Sequence, residues 1–100
     1  MKKKHREQLE KEIAELSTNE FIALSKLYTN KEFPHCSITI QEVTKALQSS
    51  RPTSLRTMRK LTEKQLITEV KDFITFYYPA KNKEEQLIIR QGIFRRLGIF

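Results

Sequence analysis

Apolar residues recur along the chain in short, well-punctuated groups. In residues 2–16, Leu9, Ile13 and Leu16 fall at helical spacing among charged neighbours, and Glu7 and Lys11 form a favourable i,i+4 pair. This predicts a largely solvated helix, with the run Lys2-Lys3-Lys4-His5-Arg6 as a frayed basic terminus over residues 1–6. Ser17-Thr18-Asn19-Glu20 reads S-x-x-E, a capping box that opens a new helix. Phe21, Ile22, Leu24, Leu27 and Tyr28 give that helix a broad apolar stripe, which places it deep in the core. It ends near Asn30, and Pro34 keeps the following segment a loop.

Ser37-Ile38-Thr39 predicts a very short strand, and Thr39 to Glu42 is a second capping box, opening a helix to about Leu47. Ile40, Val43 and Leu47 form its buried face, and Ala46 allows close approach of a neighbour. Gln48-Ser49 is a break, Ser50 an N-cap, and Pro52 sits in the first turn, where a missing N–H costs nothing. In the helix over residues 51–64, Leu55, Met58 and Leu61 mark an inward stripe at i, i+3, i+6. At about 100° per residue, Thr53, Arg56, Thr57 and Lys60 fall opposite that stripe. Arg51, Ser54 and Arg59 flank the same outward side or occupy the first turn. Five bases and a single acid, Glu63, make this helix far more one-signed than an ordinary exposed helix.

Residues 66–70 and 73–78 are rich in β-branched and aromatic side chains and predict a hairpin over 66–78, with its tip at Lys71-Asp72 and Pro79 closing the second strand. Phe76, Tyr77 and Tyr78 fit core and cross-strand packing better than stacking on single-stranded bases. Asn82-Lys83-Glu84-Glu85 caps a last helix over 83–97, with Gly92 as its weak point and a place for a break. The expected class is a mainly α domain with a small β-hairpin (α+β), one domain over residues 1–100.

Composition narrows the function. One hundred residues with 38% hydrophobic and 31% charged suit a single small core, and two glycines and three prolines argue against a sandwich or barrel. No apolar stretch approaches membrane-spanning length, and no apolar segment follows the basic N-terminus as it would in a secretory signal. The lone Cys36 fits a reducing compartment, so the expected location is cytoplasmic. His35-Cys36 has no further ligands beyond the distant His5, no glycine-rich phosphate loop exists, and the acids are dispersed. No metal, cofactor or catalytic centre is therefore expected, and the chain reads as a non-enzyme. The net charge is +7, divided as +1 in residues 1–50 and +6 in residues 51–100. A basic half on a small domain points to a polyanion, since clustered Lys and Arg displace condensed counterions.

The stretch ITIQEVTKALQSSRPTSLRTMRKLTEKQLITEV, with its hairpin, runs from Ile38 to Tyr78 and resembles the winged helix-turn-helix family. Thr39 matches the capped positioning helix, Ser49-Ser50 the small-polar turn and Leu61 the end of a basic recognition helix, so the helix-turn-helix spans 39–64 and the wing 66–78. The family's usual glycine after that helix is replaced near Gln65, so a less sharply turned exit is expected. The resemblance implies contacts to double-stranded DNA from Ser50, Arg51, Thr53, Ser54, Arg56, Thr57, Arg59, Lys60 and, on the wing, Lys71. Arg56 and Lys60 suit guanine edges. Thr53, Ser54 and Thr57 suit phosphates, base edges or thymine methyls, and Ser50 with the helix N-terminal N–H groups suits a phosphate. It also implies a homodimer on a pseudo-palindromic or repeated site, acting as a transcriptional regulator. SSRPTSLRTM resembles, in addition, the centromere-binding adaptors of tubulin-type plasmid partition systems, which engage a filament-forming GTPase. An RNA-binding or protein-interaction module is a third reading. For the dimer, Ile88, Ile89, Ile93, Phe94, Leu97, Ile99 and Phe100 offer more apolar surface than one helix face needs, giving a candidate interface shared with the first helix. Arg90, Arg95 and Arg96 are left as candidates for phosphates, a docking partner or solvent.

Overall fold

Each helix of the core begins where a short polar side chain satisfies its free N–H groups. In the computed structural model, which describes residues 6–98, the order is α1 (Arg6–Ala14), α2 (Thr18–Tyr28), β1 (Ile38–Thr39), α3 (Ile40–Leu47), α4 (Arg51–Glu63), β2 (Ile67–Lys71), β3 (Thr75–Pro79) and α5 (Lys83–Leu97). The basic run before Arg6, and Ile99 and Phe100 of the tail, lie outside the described residues. Ser17 and Glu20 close the first capping box, with N···O distances of 3.2 and 2.9 Å, and Thr39 and Glu42 close the second at 3.3 and 3.1 Å. Asn82 Oδ1 accepts from the Glu85 N–H at 3.0 Å and starts α5.

Helix α2 lies at the centre, touching α3, α4, α5 and β3, and buries Ala23, Leu24, Leu27 and Tyr28; Ile22, expected inside, is exposed. The sheet is antiparallel in the order β1-β3-β2. Its inner face carries the pairs Ile67–Pro79 and Glu69–Tyr77, and the outer face Val70–Phe76 and Thr68–Tyr78. Tyr77 is buried in the core, while Phe76 and Tyr78 pair their rings 6.5 Å apart on the other face. Lys71 pairs with Thr75 inside the ladder, so the hairpin tip is the triplet Asp72-Phe73-Ile74 rather than Lys71-Asp72. The fully buried Tyr28 hydroxyl donates to Leu66 O at 2.7 Å and accepts from the Ala80 N–H at 2.8 Å. One side chain of the central helix thus holds the exit of α4 and the end of β3. Burial pushes this phenol well above its ordinary pKa.

Both glutamines at helix ends adopt left-handed backbone, Gln48 at φ 52° and Gln65 at φ 61°. After α4 the Gln65 N–H donates to Thr62 O at 2.9 Å and the Leu66 N–H to Leu61 O at 3.1 Å. This is the double bond of a Schellman turn. The exit is therefore as sharp as a glycine would make it, contrary to expectation, because these two bonds and the buried Leu66 hold the glutamine there.

Helix α1 packs on α5, where Leu9 and Ile13 bury against Ile89 and Ile93. Gly92 does not break α5. It sits at the helix crossing, where a Cβ would lie 2.8 Å from Ile13 Cδ1. Among the described residues much of the tail's apolar surface is thereby used inside the chain: Ile89 and Ile93 are buried, Ile88 packs on the core, and Leu87 and Leu97 are the large apolar residues of α5 that stay exposed.

Candidate nucleic-acid interface

The turn between α3 and α4 is built from hydroxyls bonded to one another. Ser50 caps α4 by accepting from the Thr53 N–H at 3.4 Å, and its Oγ donates to Thr53 Oγ1 at 3.0 Å. Ser54 Oγ donates to Ser50 O at 3.1 Å and lies 3.2 Å from Ser49 Oγ. Ser54 is 0% exposed, so it buckles the turn from beneath instead of facing a duplex. Thr57, also expected outward, is 6% exposed, with its Oγ1 donating to Thr53 O at 2.9 Å.

Leu55 shows the converse. It was expected inside and is 38% exposed. Buried Met58 and Leu61 fix the inward direction; at 3.6 residues per turn Ser54 lies within about 10° of their mean and Leu55 about 90° away. The i, i+3, i+6 spacing drifts round the helix, and the small serine takes the place where α4 meets the turn.

The bases divide between two flanks. Toward the N-terminus of α2, Thr53, Arg56, Thr57 and Lys60 line one surface groove with Ser17, Asn19 and Glu20. Toward the wing, Arg51 and Leu55 line a groove with Phe73, Ile74, Thr75 and Tyr77. Arg59 lines the adjoining groove with Leu55, Glu69 and Lys71. Arg51, Arg56, Arg59 and Lys60 are all exposed, and among the described residues no carboxylate lies within 4.0 Å of them. Arg56 Nη2 donates to Thr53 Oγ1 at 3.3 Å, which holds the guanidinium along the outward face. Lys64 instead lies 3.8 Å from Glu20 on α2. Burial raises the Glu20 pKa, but the Ser17 N–H and the Lys64 charge outweigh it and hold the carboxyl below its ordinary value. Lys71, the wing's one cation, lies 3.9 Å from Glu69.

Phe73 and Ile74, expected to open the second strand over 73–78, lie instead at the hairpin tip, because β3 begins at Thr75; an apolar pair there is unusual, since polar residues commonly make such turns. Cys36 is half-buried with its Sγ 3.4 Å from Leu27 O, and burial pushes the thiol pKa up. Among the described residues no group of three or more His, Cys, Asp or Glu is placed to hold a metal, and no helix is long and apolar enough to cross a membrane.

The sequence matches no protein-family model and no curated protein. Solved structures do match. The TubR mutant of a type III plasmid segregation system superposes with a TM-score of 0.70 at 14% identity, over 100% of this chain and 99% of its own. The MepR–DNA complex of S. aureus gives 0.64 at 19% identity, covering 93% of this chain and 76% of MepR. A MarR-family transcriptional regulator from Silicibacter pomeroyi gives 0.66 at 15% identity, covering 92% and 64%. With α3 and α4 as the helix-turn-helix and β2–β3 as the hairpin beside it, the fold of this chain is the winged helix-turn-helix.

Proposed function

We propose that the chain binds double-stranded DNA sequence-specifically as a homodimer and regulates transcription. The observation that carries this reading is the exposed set Arg51, Arg56, Arg59 and Lys60 on the helix that follows the turn, with no carboxylate of the described residues within 4.0 Å of them. A major groove admits one such helix, and guanidinium and ammonium groups pair with guanine edges and phosphates. Thr53 and Ser50 serve as phosphate or base-edge contacts, and Lys71 as a backbone contact from the wing. Ser54 and Thr57 act only by holding the turn. The S. aureus relative in fold, MepR, is a regulator solved with DNA, which supports the same use of this fold. Leu87 and Leu97, the exposed apolar residues of α5, support a second protomer docking there.

A second reading rests on a specific observation. The plasmid segregation protein TubR superposes with a TM-score of 0.70, against 0.64 and 0.66 for the MepR–DNA complex and the Silicibacter pomeroyi regulator. That supports an adaptor bound to repeated DNA sites and linked to a filament-forming GTPase.

Footprinting on the DNA flanking the gene tests both. A single site with two half-sites about 10 base pairs apart, overlapping a promoter, is the expected result for a dimeric regulator. An array of repeats establishes the adaptor. Equal affinity for duplex RNA and duplex DNA of one length at fixed salt contradicts both.

A further inference from the structure

Successive residues of an antiparallel strand turn their N–H and C=O groups to opposite sides. In the wing the phase is set at the tip. The Asp72 N–H donates to Ile74 O at 3.3 Å, one step beyond the Lys71–Thr75 pair. Val70 and Thr68 therefore bond across to β3, and Glu69 and Lys71 turn their backbone groups away from it. β2 is an edge of the sheet, so among the described residues no strand meets those groups. Glu69, Val70 and Lys71 are exposed along this edge, which is a template for one more strand.

The side chains select that strand. Glu69 and Asp72 outnumber Lys71 here, which favours a partner of mixed sign over a polyanion. β2 is itself of mixed sign and complements itself in one register. Two antiparallel copies centred on Glu69 or on Lys71 oppose like charges. Centred on Val70, they set each Glu69 opposite the partner's Lys71, and that pair exchanges the free N–H···O bonds. Val70 then lies beside the partner's Val70. Each faces Phe76 across its own hairpin, so an apolar row crosses the joined sheets. In the single chain Val70 is 44% exposed. The same register carries each Phe73, 103% exposed at the tip, toward the start of the partner's β2.

We infer that the β2 edge is a self-pairing interface, joining two copies of the chain through Glu69, Val70 and Lys71 into one continuous antiparallel sheet. It is distinct from the α5 contact proposed above, and it rests on neither that contact nor DNA binding. With both contacts in use, each of them isologous, copies join alternately into an open row, which suits neighbours on repeated DNA sites. The Lys71 ammonium has three donors, so pairing with a carboxylate leaves it able to meet a phosphate.

The test uses the full chain with Cys36→Ser, to which Thr68→Cys or Val70→Cys is added, under mild oxidation. Facing residues of a non-hydrogen-bonded pair lie about 4.5 Å apart at Cα, within disulfide reach. Val70→Cys should therefore link most of the protein into covalent dimers. Thr68→Cys should not, because Thr68 falls opposite the partner's Asp72 and far from its own copy. Sedimentation gives a second readout, taken in a Leu87→Ser, Leu97→Ser background so that the α5 contact does not mask it. Glu69→Lys and Lys71→Glu should each weaken the remaining association about tenfold, and the two swaps together should restore it. A disulfide yield at Val70→Cys no greater than at Thr68→Cys overturns the interface. So does a double swap that associates no better than the single swaps. Swaps that lower duplex affinity and leave self-association unchanged assign the edge to nucleic acid and overturn it as well.

Discussion

Helix α4 and helix α5 each carry three arginines, and their surroundings are opposite. On α5, Arg90 lies between two rings, 4.8 Å from the Phe33 centroid and 5.1 Å from that of Phe94, with its Nε buried and unpaired. Arg96 stacks 4.2 Å over Phe21 and donates to Ile13 O at 2.8 Å, and Arg95 lies 3.7 Å from Glu10. On α4, Arg51, Arg56 and Arg59 face solvent with no carboxylate in reach among the described residues. The first set staples α5 to α1, to α2 and to the loop before β1. The second is left free for an external anion. Arginine count alone makes the two helices equivalent; the partners of each guanidinium separate a structural arginine from an available one.

The largest effect that sharpens this contrast is on binding. Arg56→Ala with Lys60→Ala should lower duplex affinity by about 100-fold, at roughly 1–3 kcal/mol for each base-reading contact. Because both side chains are exposed, calorimetric stability should move by less than about 0.5 kcal/mol. The reverse pattern is expected on α5. Arg90→Ala with Arg96→Ala should destabilise the fold by about 2 kcal/mol through lost ring stacking and a lost carbonyl bond. Duplex affinity per folded molecule should stay unchanged in direct titration. A pair of α5 variants that stays stable yet stops binding breaks the contrast.

A smaller effect of opposite sign is expected where α4 ends. Gln65→Gly removes the strain of a side chain at positive φ and should raise stability by about 1 kcal/mol, read as a higher urea midpoint at the same m-value. The smallest effect is a pH dependence. Glu20 has a folded pKa below its unfolded value of 4.5, so its contribution is present above that pH and is lost as pH falls through the folded value. Urea titrations from pH 6 to pH 3 should show a decline that Glu20→Gln flattens.

The parts of this molecule that were legible in the sequence are those set by neighbours a few residues apart. Ser17, Thr39, Ser50 and Asn82 each accept from the N–H three positions ahead, so the helix starts follow from the chain itself. The turn and the cationic run after it are local in the same sense. Tyr28 read correctly as core, but its hydroxyl's partners lie 38 and 52 residues away, beyond any local pattern. The exchange of Leu55 for Ser54 on the inner face depends on how closely α4 approaches the Ser49 turn, which periodicity does not report. The fates of Arg90 and Arg96 depend on Phe33 and Phe21 of other segments. Gly92, a weak point by propensity, is a contact point by packing.

The salt dependence of duplex binding tests the central claim most directly, because it counts phosphates neutralised by each set of bases. With four to six phosphates engaged per site, log affinity should fall against log salt with a slope of about −4 to −5 for wild type. The slope should be unchanged for Arg90→Ala with Arg96→Ala, and shallower by about one to two for Arg51→Ala with Arg59→Ala on α4. A slope that the α5 pair flattens and the α4 pair leaves intact contradicts the account.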